Sequence, residues 1–269
     1  MVKQSVAERH LKLNIGTGIL ATLLCAHLLI ASPARALGPI DTDGPDFVES
    51  SEAVPKGHFQ YEVDMTSVRD RRSAAHSTRI SAPTLLRYGV ANNIELRVAP
   101  EIYDRQDGKT GVGDTAFGIK WHSQDRDEAL GKPAVSWILH VDTPSGSNQF
   151  KGNGNRPSLR SVIAWELRHD LELGLMPGIK YDTDEDARRF TSAIFGAVLN
   201  KRIDDRFRTF VEFSASQIAP ARHGGVLASW DLGAAYLVNN DLQLGIRSGV
   251  AANRNTPDTY VLIELAQRF

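Results

Sequence analysis

Ser136, His140 and Asp142 fall on one face of a single alternating stretch. A serine, a histidine and a carboxylate are the parts of a hydrolase when the hydroxyl touches the imidazole. At the rise of an extended strand, Ser136 and His140 are roughly 13 Å apart. They do not touch, and nothing marks a second serine for either of them. Two further stretches imitate ligand loops. Gly111-Val112-Gly113-Asp114 lacks the third glycine and the helix of a dinucleotide site, so it reads as a strand start. Asp182-Thr183-Asp184-Glu185-Asp186 opens like a calcium loop, but Ala187 and Ala193 occupy the places of the turn glycine and the final glutamate. That leaves a solvated acidic tip or a cation bridge to lipopolysaccharide. No catalytic residue, cofactor or resident metal is expected.

The charged residues with a regular spacing are more informative. Glu62, Asp64, Arg79, Arg87, Glu95, Arg97, Glu101, Asp114 and Lys120 recur in the first half. Arg160, Glu166, Arg168, Arg206, Arg208, Glu212, Arg247, Glu264 and Arg268 continue the pattern in the second. Each lies on the polar row of a segment whose other row is apolar. If the apolar rows face lipid, these residues line a water-filled lumen. They then either create a field that selects solutes or pair into a salt-bridged plug.

The elements that must position them are strands. From Gly57 onward the period is two. Twelve segments start near His58, Thr78, Asn93, Val112, Pro133, Ser158, Leu171, Phe190, Arg206, Val226, Leu242 and Thr259. Typical apolar rows are Phe59/Tyr61/Val63/Met65, Thr115/Phe117/Ile119/Trp121 and Leu171/Leu173/Leu175. In the eighth segment the row taken as outward is Phe190/Ser192/Ile194/Gly196/Val198, and there alone the opposite row carries no charge. None of the twelve apolar rows holds a charge, although 23% of the chain is charged.

A soluble sandwich alternates too. Three features favour a barrel. Short connections (residues 89–92, 169–170, 202–205, 239–240) alternate with long polar ones (70–75, 104–110, 144–156, 182–189, 218–225, 252–257), apart from a longer stretch at 122–132 on the short side. The strand count is even. Outward aromatics gather at short-turn ends: Phe59, Tyr88, Trp121, Trp165, Phe207, Tyr236 and Phe269. In hydrocarbon a closed sheet pairs all its backbone groups without an edge. A terminal aromatic after a strand, Phe269, matches an outer-membrane assembly signal, although Gln267 replaces the aromatic often found two places earlier. The long connection at 144–156 either folds over the mouth or moves freely.

Residues 1–36 read as a cleaved export signal: Lys3, Arg9 and Lys12, then an uncharged apolar run, then Pro33 and Ala34-Arg35-Ala36. The one cysteine, Cys25, lies in that run, so a mature chain has no disulfide and no thiol chemistry. Residues 37–56 carry Asp41, Asp43, Asp46, Glu49 and Glu52. They form either a periplasmic segment or a small plug. With 31 Lys+Arg against 32 Asp+Glu, no basic excess points to nucleic acid.

Several stretches together resemble a known family. These are Asp43-Gly44-Pro45-Asp46-Phe47-Val48-Glu49-Ser50-Ser51 with Val54-Pro55-Lys56-Gly57-His58-Phe59-Gln60, and Leu85-Leu86-Arg87-Tyr88-Gly89 with Ile94-Glu95-Leu96-Arg97. Gly111-Val112-Gly113-Asp114-Thr115 with Gly118-Ile119-Lys120, and Pro144-Ser145-Gly146, complete the set. In order and spacing they resemble the outer-membrane transporter family named for the meta-pathway of phenol degradation. The resemblance covers essentially the whole mature chain and implies a barrel passing small solutes, aromatic ones among them. It brings no catalytic residues.

The expectation is therefore an all-β protein: a single transmembrane antiparallel up-and-down β-barrel of about twelve strands over residues 57–269, in the bacterial outer membrane. Its partners would be outer-membrane lipid and lipopolysaccharide, a small-molecule solute, and the barrel-assembly machinery. A lipid-modifying enzyme and a closed structural barrel are the competing functions. The His-x-Ser-Asn pattern of barrel phospholipases is missing from the sequence.

Overall fold

The computed structural model describes residues 37–71, 77–184 and 186–269. The export signal read over residues 1–36, with Cys25, lies outside the described residues. One antiparallel sheet contains β1 (Phe59–Asp70), β2 (Ser77–Ala91), β3 (Ile94–Gln106), β4 (Lys109–Gly111), β5 (Thr115–Gln124), β6 (Ala134–Thr143) and β7 (Arg156–Arg168). It continues through β8 (Leu171–Thr183), β9 (Arg189–Arg202), β10 (Phe207–Ile218), β11 (Val226–Asn239), β12 (Leu242–Ala251) and β13 (Thr259–Arg268). Each long strand pairs with its sequence neighbours, and β1 pairs with β13, from Gln60↔Arg268 to Arg69↔Thr259. The sheet thereby meets itself, and twelve strands form the wall.

The thirteenth, β4, only continues a hairpin beyond that wall. The connection expected at 104–110 is largely strand: β3 runs to Gln106 and turns at Asp107 and Gly108, whose φ angles are 52° and 79°. Two successive left-handed residues make the tight hairpin turn that suits strand twist, and Asp-Gly supplies them cheaply. At 122–132, Asp127 caps a short 3₁₀ turn by accepting from the Leu130 N–H, and Gly131 closes it at φ 64°.

The alternating rows face as their polarity demands. Phe117, Ile119, Trp137, Leu139, Leu232 and Ile263 point outward, 43–67% exposed, as a belt for lipid. The eighth segment is a correction. Leu173 pairs with Leu199, Leu175 with Ala197 and Pro177 with Phe195, so the outward row of β9 is Thr191, Ala193, Phe195, Ala197 and Leu199. Ser192, Gly196 and Val198 are buried inside. No residue between 190 and 199 is charged, so the sequence held no mark of the inward side, and pairing with β8 set the phase.

The buried core lies within the barrel. Ile138, Val162, Met176, Val198 and Phe210, contributed by five consecutive strands, cluster with Val48, which belongs to no strand.

Candidate functional site

Residues 38–57 run inside the wall they precede. The segment enters at the short-turn end, where the Ile40 N–H donates to Asn240 O (2.7 Å) and Arg268 Nη2 to Gly38 O (2.7 Å). It leaves at the same end, with the Gly57 N–H donating to Gly89 O (2.7 Å). Between these points it is gripped by two different walls.

The first wall, β1 to β5, is ionic. Arg87 is fully buried, and all of its donors are used. Nε and Nη2 form a fork on Glu95 (2.9 Å each), Nη1 reaches Glu62 (2.8 Å), and the Asp41 and Glu52 carbonyls accept at 3.1 Å. Such a bidentate pair is the strong, directional form of a charge-assisted bond. Asp43 sits at the centre: Lys120 Nζ is 2.5 Å from Oδ1, and Arg97 Nη1 is 2.7 Å from Oδ2. Burial by itself would raise the carboxyl of Asp43, but Arg87, Lys120 and Arg97 outweigh it and hold the group well below its ordinary value. Glu49 bridges Arg97 (2.7 Å) and Arg160. On the way out, the Val54 N–H donates to Glu95 (2.7 Å), and the Ser51 carbonyl accepts from Ser136 Oγ and faces His122 Nδ1 at 2.8 Å.

The second wall, β6 to β10, is mostly apolar and holds Val48. Here Glu212 accepts from the backbone N–H of Phe47 (2.9 Å) and Val48 (2.8 Å). Arg208 pairs with Asp46 at 2.9 Å. Gly196 is required by close approach, because a Cβ there would stand 2.6 Å from a Val48 methyl. Between this wall and the segment, a cavity of about 520 Å³ extends to the short-turn end. Val48, Val162 and Val198 line its depth, and Arg126, Glu172 and Arg206 its rim.

Of the eighteen charged residues singled out in the sequence, nine form a hydrogen bond or ion pair with the segment: Glu62, Arg87, Glu95, Arg97, Lys120, Arg160, Arg208, Glu212 and Arg268. The others are spread out. Arg79 pairs with Glu101 (3.1 Å) and Asp104 near the long-loop end. Glu166 pairs with Arg126 at 2.7 Å, and Arg247 with Glu212 at 3.4 Å. Asp114 anchors the long connection, accepting from the N–H groups of Gly146 (3.0 Å) and Gly152 (2.8 Å) and from Arg156 (2.6 Å). The same connection is tied back at Val112, through the Ser147 N–H (2.9 Å), and at Thr183. Arg168 stands 73% exposed beside Asp170, and Arg206 is exposed at the cavity rim. Asp64 and Glu264 are register partners on β1 and β13, and the Glu264 carboxyl lies against Gly44 of the segment.

Sequence reasoning missed Asp104 as an inward residue. The β2–β3 register shifts between Pro83↔Glu101 and Ser81↔Asp104, so a bulge turns it in, and a bulge leaves no pattern to read. It did not match the acids at 43, 46 and 49 to the cations that hold them. The usable signal was the opposite sign of a short acidic segment and the basic inward rows.

The chemistry-like motifs are occupied otherwise. His140 Nδ1 lies 3.0 Å from Arg160 Nη2, and Ser136 is bonded to Ser51. Asp184 accepts from the Arg188 N–H (2.8 Å), which draws its carboxyl below the ordinary value, and Asp184 also faces His223 at 3.2 Å. Glu185 lies outside the described residues.

Among solved structures, an outer-membrane channel of Pseudomonas putida F1 shares the fold. It has a TM-score of 0.65 and 12% identity, over 84% of this chain and 99% of that one. The NanC porin gives a TM-score of 0.55 at 13% identity, over 77% of this chain and 98% of its own. The KdgM porin gives 0.51 at 12% identity, over 79% and 99%. No curated protein matches by sequence. The architecture is that of an outer-membrane β-barrel, with the lipid-facing belt such a location requires. A family described as "Putative MetA-pathway of phenol degradation" matches residues 42–269, nearly the whole barrel and most of the segment inside it, and the chain belongs to that family.

Proposed function

We propose that this barrel is an outer-membrane channel for small solutes, aromatic or hydrophobic ones among them, and that residues 38–56 are a resident plug narrowing it from the short-turn side. One observation carries the reading. Twelve strands enclose more space than their own side chains fill, and here a separate stretch of backbone fills it. A purely structural barrel has no need of a removable filler. A segment held by carboxylates on backbone N–H groups can leave without unfolding the wall, because the strand ladder does not include it. The 520 Å³ cavity beside it is of the size that takes a small molecule. The family description supports an aromatic solute, and the channel and porins of like fold support passage. Separation of Ser136 from His140 weighs against catalysis. The inward charges named above would then line the path, and lipid, lipopolysaccharide and the assembly machinery would be its surroundings.

The test is planar-bilayer conductance of the chain from residue 37 and of a variant lacking residues 38–56, with swelling of solute-loaded liposomes alongside. The variant should conduct several-fold more than the intact chain. Silence of both proteins in both assays, with folding checked by heat-modifiable gel mobility, would end the channel reading.

A further inference from the structure

The cavity beside the plug is built in two rungs. Ala164, Gly174 and Val198 are register partners across β7, β8 and β9, and with Val48 and Val162 they make an apolar floor. The next inward rung toward the short-turn end is Glu166, Glu172 and Asn200, partners across the same three strands. Two residues of strand set the rungs about 7 Å apart, roughly the breadth of one aromatic ring. Ala235 and Leu237 of β11 extend the apolar surface, and the segment contributes Asp41 and Glu52.

The charges of this lining are unequal. Nine carboxylates face four guanidiniums. At the rim, two arginines and two aspartates of the 202–206 turn offset each other. The other two guanidiniums are engaged. Arg126 lies on Glu166 (2.7 Å) and Glu172 (2.5 Å), and Arg208 on Asp46 (2.9 Å) and Asn200 (2.7 Å). Glu49 is held by Arg97 and Arg160, and Asp170 by Lys201. Among the described residues, Asp41 has no cationic nitrogen within 4.0 Å, and Glu52 has only His122 Nδ1 at 3.9 Å. Below the rim, an entering carboxylate therefore meets no free guanidinium. An ammonium meets Asp41, Glu52 and the two acids that share one arginine, and its three donors suit several carboxylate oxygens at once.

We propose that this cavity binds small organic cations, with an apolar body of about one ring on the floor and an ammonium against Asp41, Glu52, Glu166 and Glu172. The apolar rung behind the acids is what makes the site more than a wet cluster of charge: it rewards a body attached to the cation, which a bare ion lacks. The inference rests on the channel reading, whose solute class it narrows, and its test reads occupancy, whereas conductance reads passage.

The test uses the chain from residue 37, which has no cysteine. Ala164→Cys places a thiol in the cavity, and its rate of modification by an uncharged methanethiosulfonate reports whether the site is filled. Leu237→Cys repeats the measurement from the opposite wall, and Asp186→Cys, on an exposed turn, corrects for effects of the additives on the reagent. Benzylamine should protect both cavity positions at a concentration roughly tenfold or more below that needed with benzoate or benzyl alcohol. Asp41→Asn with Glu52→Gln should raise the half-protecting concentration several-fold, and Ala235→Leu, which fills the apolar surface, should abolish protection, each in a fold checked by heat-modifiable mobility. Equal protection by benzoate or benzyl alcohol would overturn the proposal. So would equal protection by methylammonium, which has no ring, or a benzylamine effect untouched by the two carboxylate changes. Protection without conductance would end the channel reading and leave the site; conductance without protection would end this inference alone.

Discussion

Two walls of one lumen hold the same short stretch of chain by opposite means. On β1 to β5, Glu62, Arg87, Glu95, Arg97 and Lys120 form a buried ionic network around Asp43. On β6 to β10, Ile138, Val162, Met176, Val198 and Phe210 close around Val48. The ionic wall gives direction: each guanidinium and carboxylate has one place for its partner, so the segment is fixed in register. It adds little net stability, because burying the charges costs about as much as pairing them returns. The apolar wall gives free energy in proportion to area and tolerates small shifts. One wall says where the segment sits, and the other makes sitting there favourable.

The largest effect should come from breaking the ionic wall at its centre. Arg87→Ala leaves Glu62 and Glu95 buried without their guanidinium, and the Asp41 and Glu52 carbonyls without a donor. The expected loss is about 3–5 kcal/mol, read as a lower midpoint in thermal unfolding from micelles. If Arg87→Ala unfolds at the parent's midpoint, the network is not holding what it touches.

The apolar wall should yield less. Val48→Ala removes two buried methyls, for about 2 kcal/mol. Gly196→Ala should also destabilise, by about 1–3 kcal/mol, because its methyl would meet Val48 at 2.6 Å and Phe47 at 3.0 Å. The two changes are complementary in volume, so the double variant should lose less than the sum of the singles. A cycle with no coupling would mean that Val48 and Gly196 are not in contact when the protein is in a membrane.

The same contrast governs what could be read from the sequence. The strand count, the closure and the lipid-facing rows were legible because lipid and water impose an alternation of two that charge makes visible. The ionic wall was legible for that reason: Arg87, Glu95 and Lys120 stand out in an apolar context. The apolar wall was not. Val162, Met176 and Val198 lie on inward rows, where apolar residues read as interruptions, and on β9 both rows lacked charge, so the phase came out one residue off. An apolar patch facing a lumen has a signal only once its occupant is known. The occupant, residues 38–56, has neither period two nor period 3.6 to announce where it goes, and its path follows from side-chain partners far away in sequence.

The smallest effect is expected at the rim of the cavity, and it sharpens the contrast between buried and wet charge. Arg126 spans Glu166 (2.7 Å) and Glu172 (2.5 Å), with all three side chains 15–34% exposed at the short-turn end. Removing it costs no dry, unpaired carboxylate, because water reaches both acids at once. Arg126→Ala should therefore shift the unfolding midpoint by the equivalent of about 1 kcal/mol or less, and by less still in high salt, where exposed pairs are screened. The same salt series should leave the Arg87→Ala deficit nearly unchanged, since its network is sealed from ions. Should Arg126→Ala match Arg87→Ala in size and salt response, burial would not be what separates the two, and the division of the lumen into a sealed ionic wall and a wet rim would have to be abandoned.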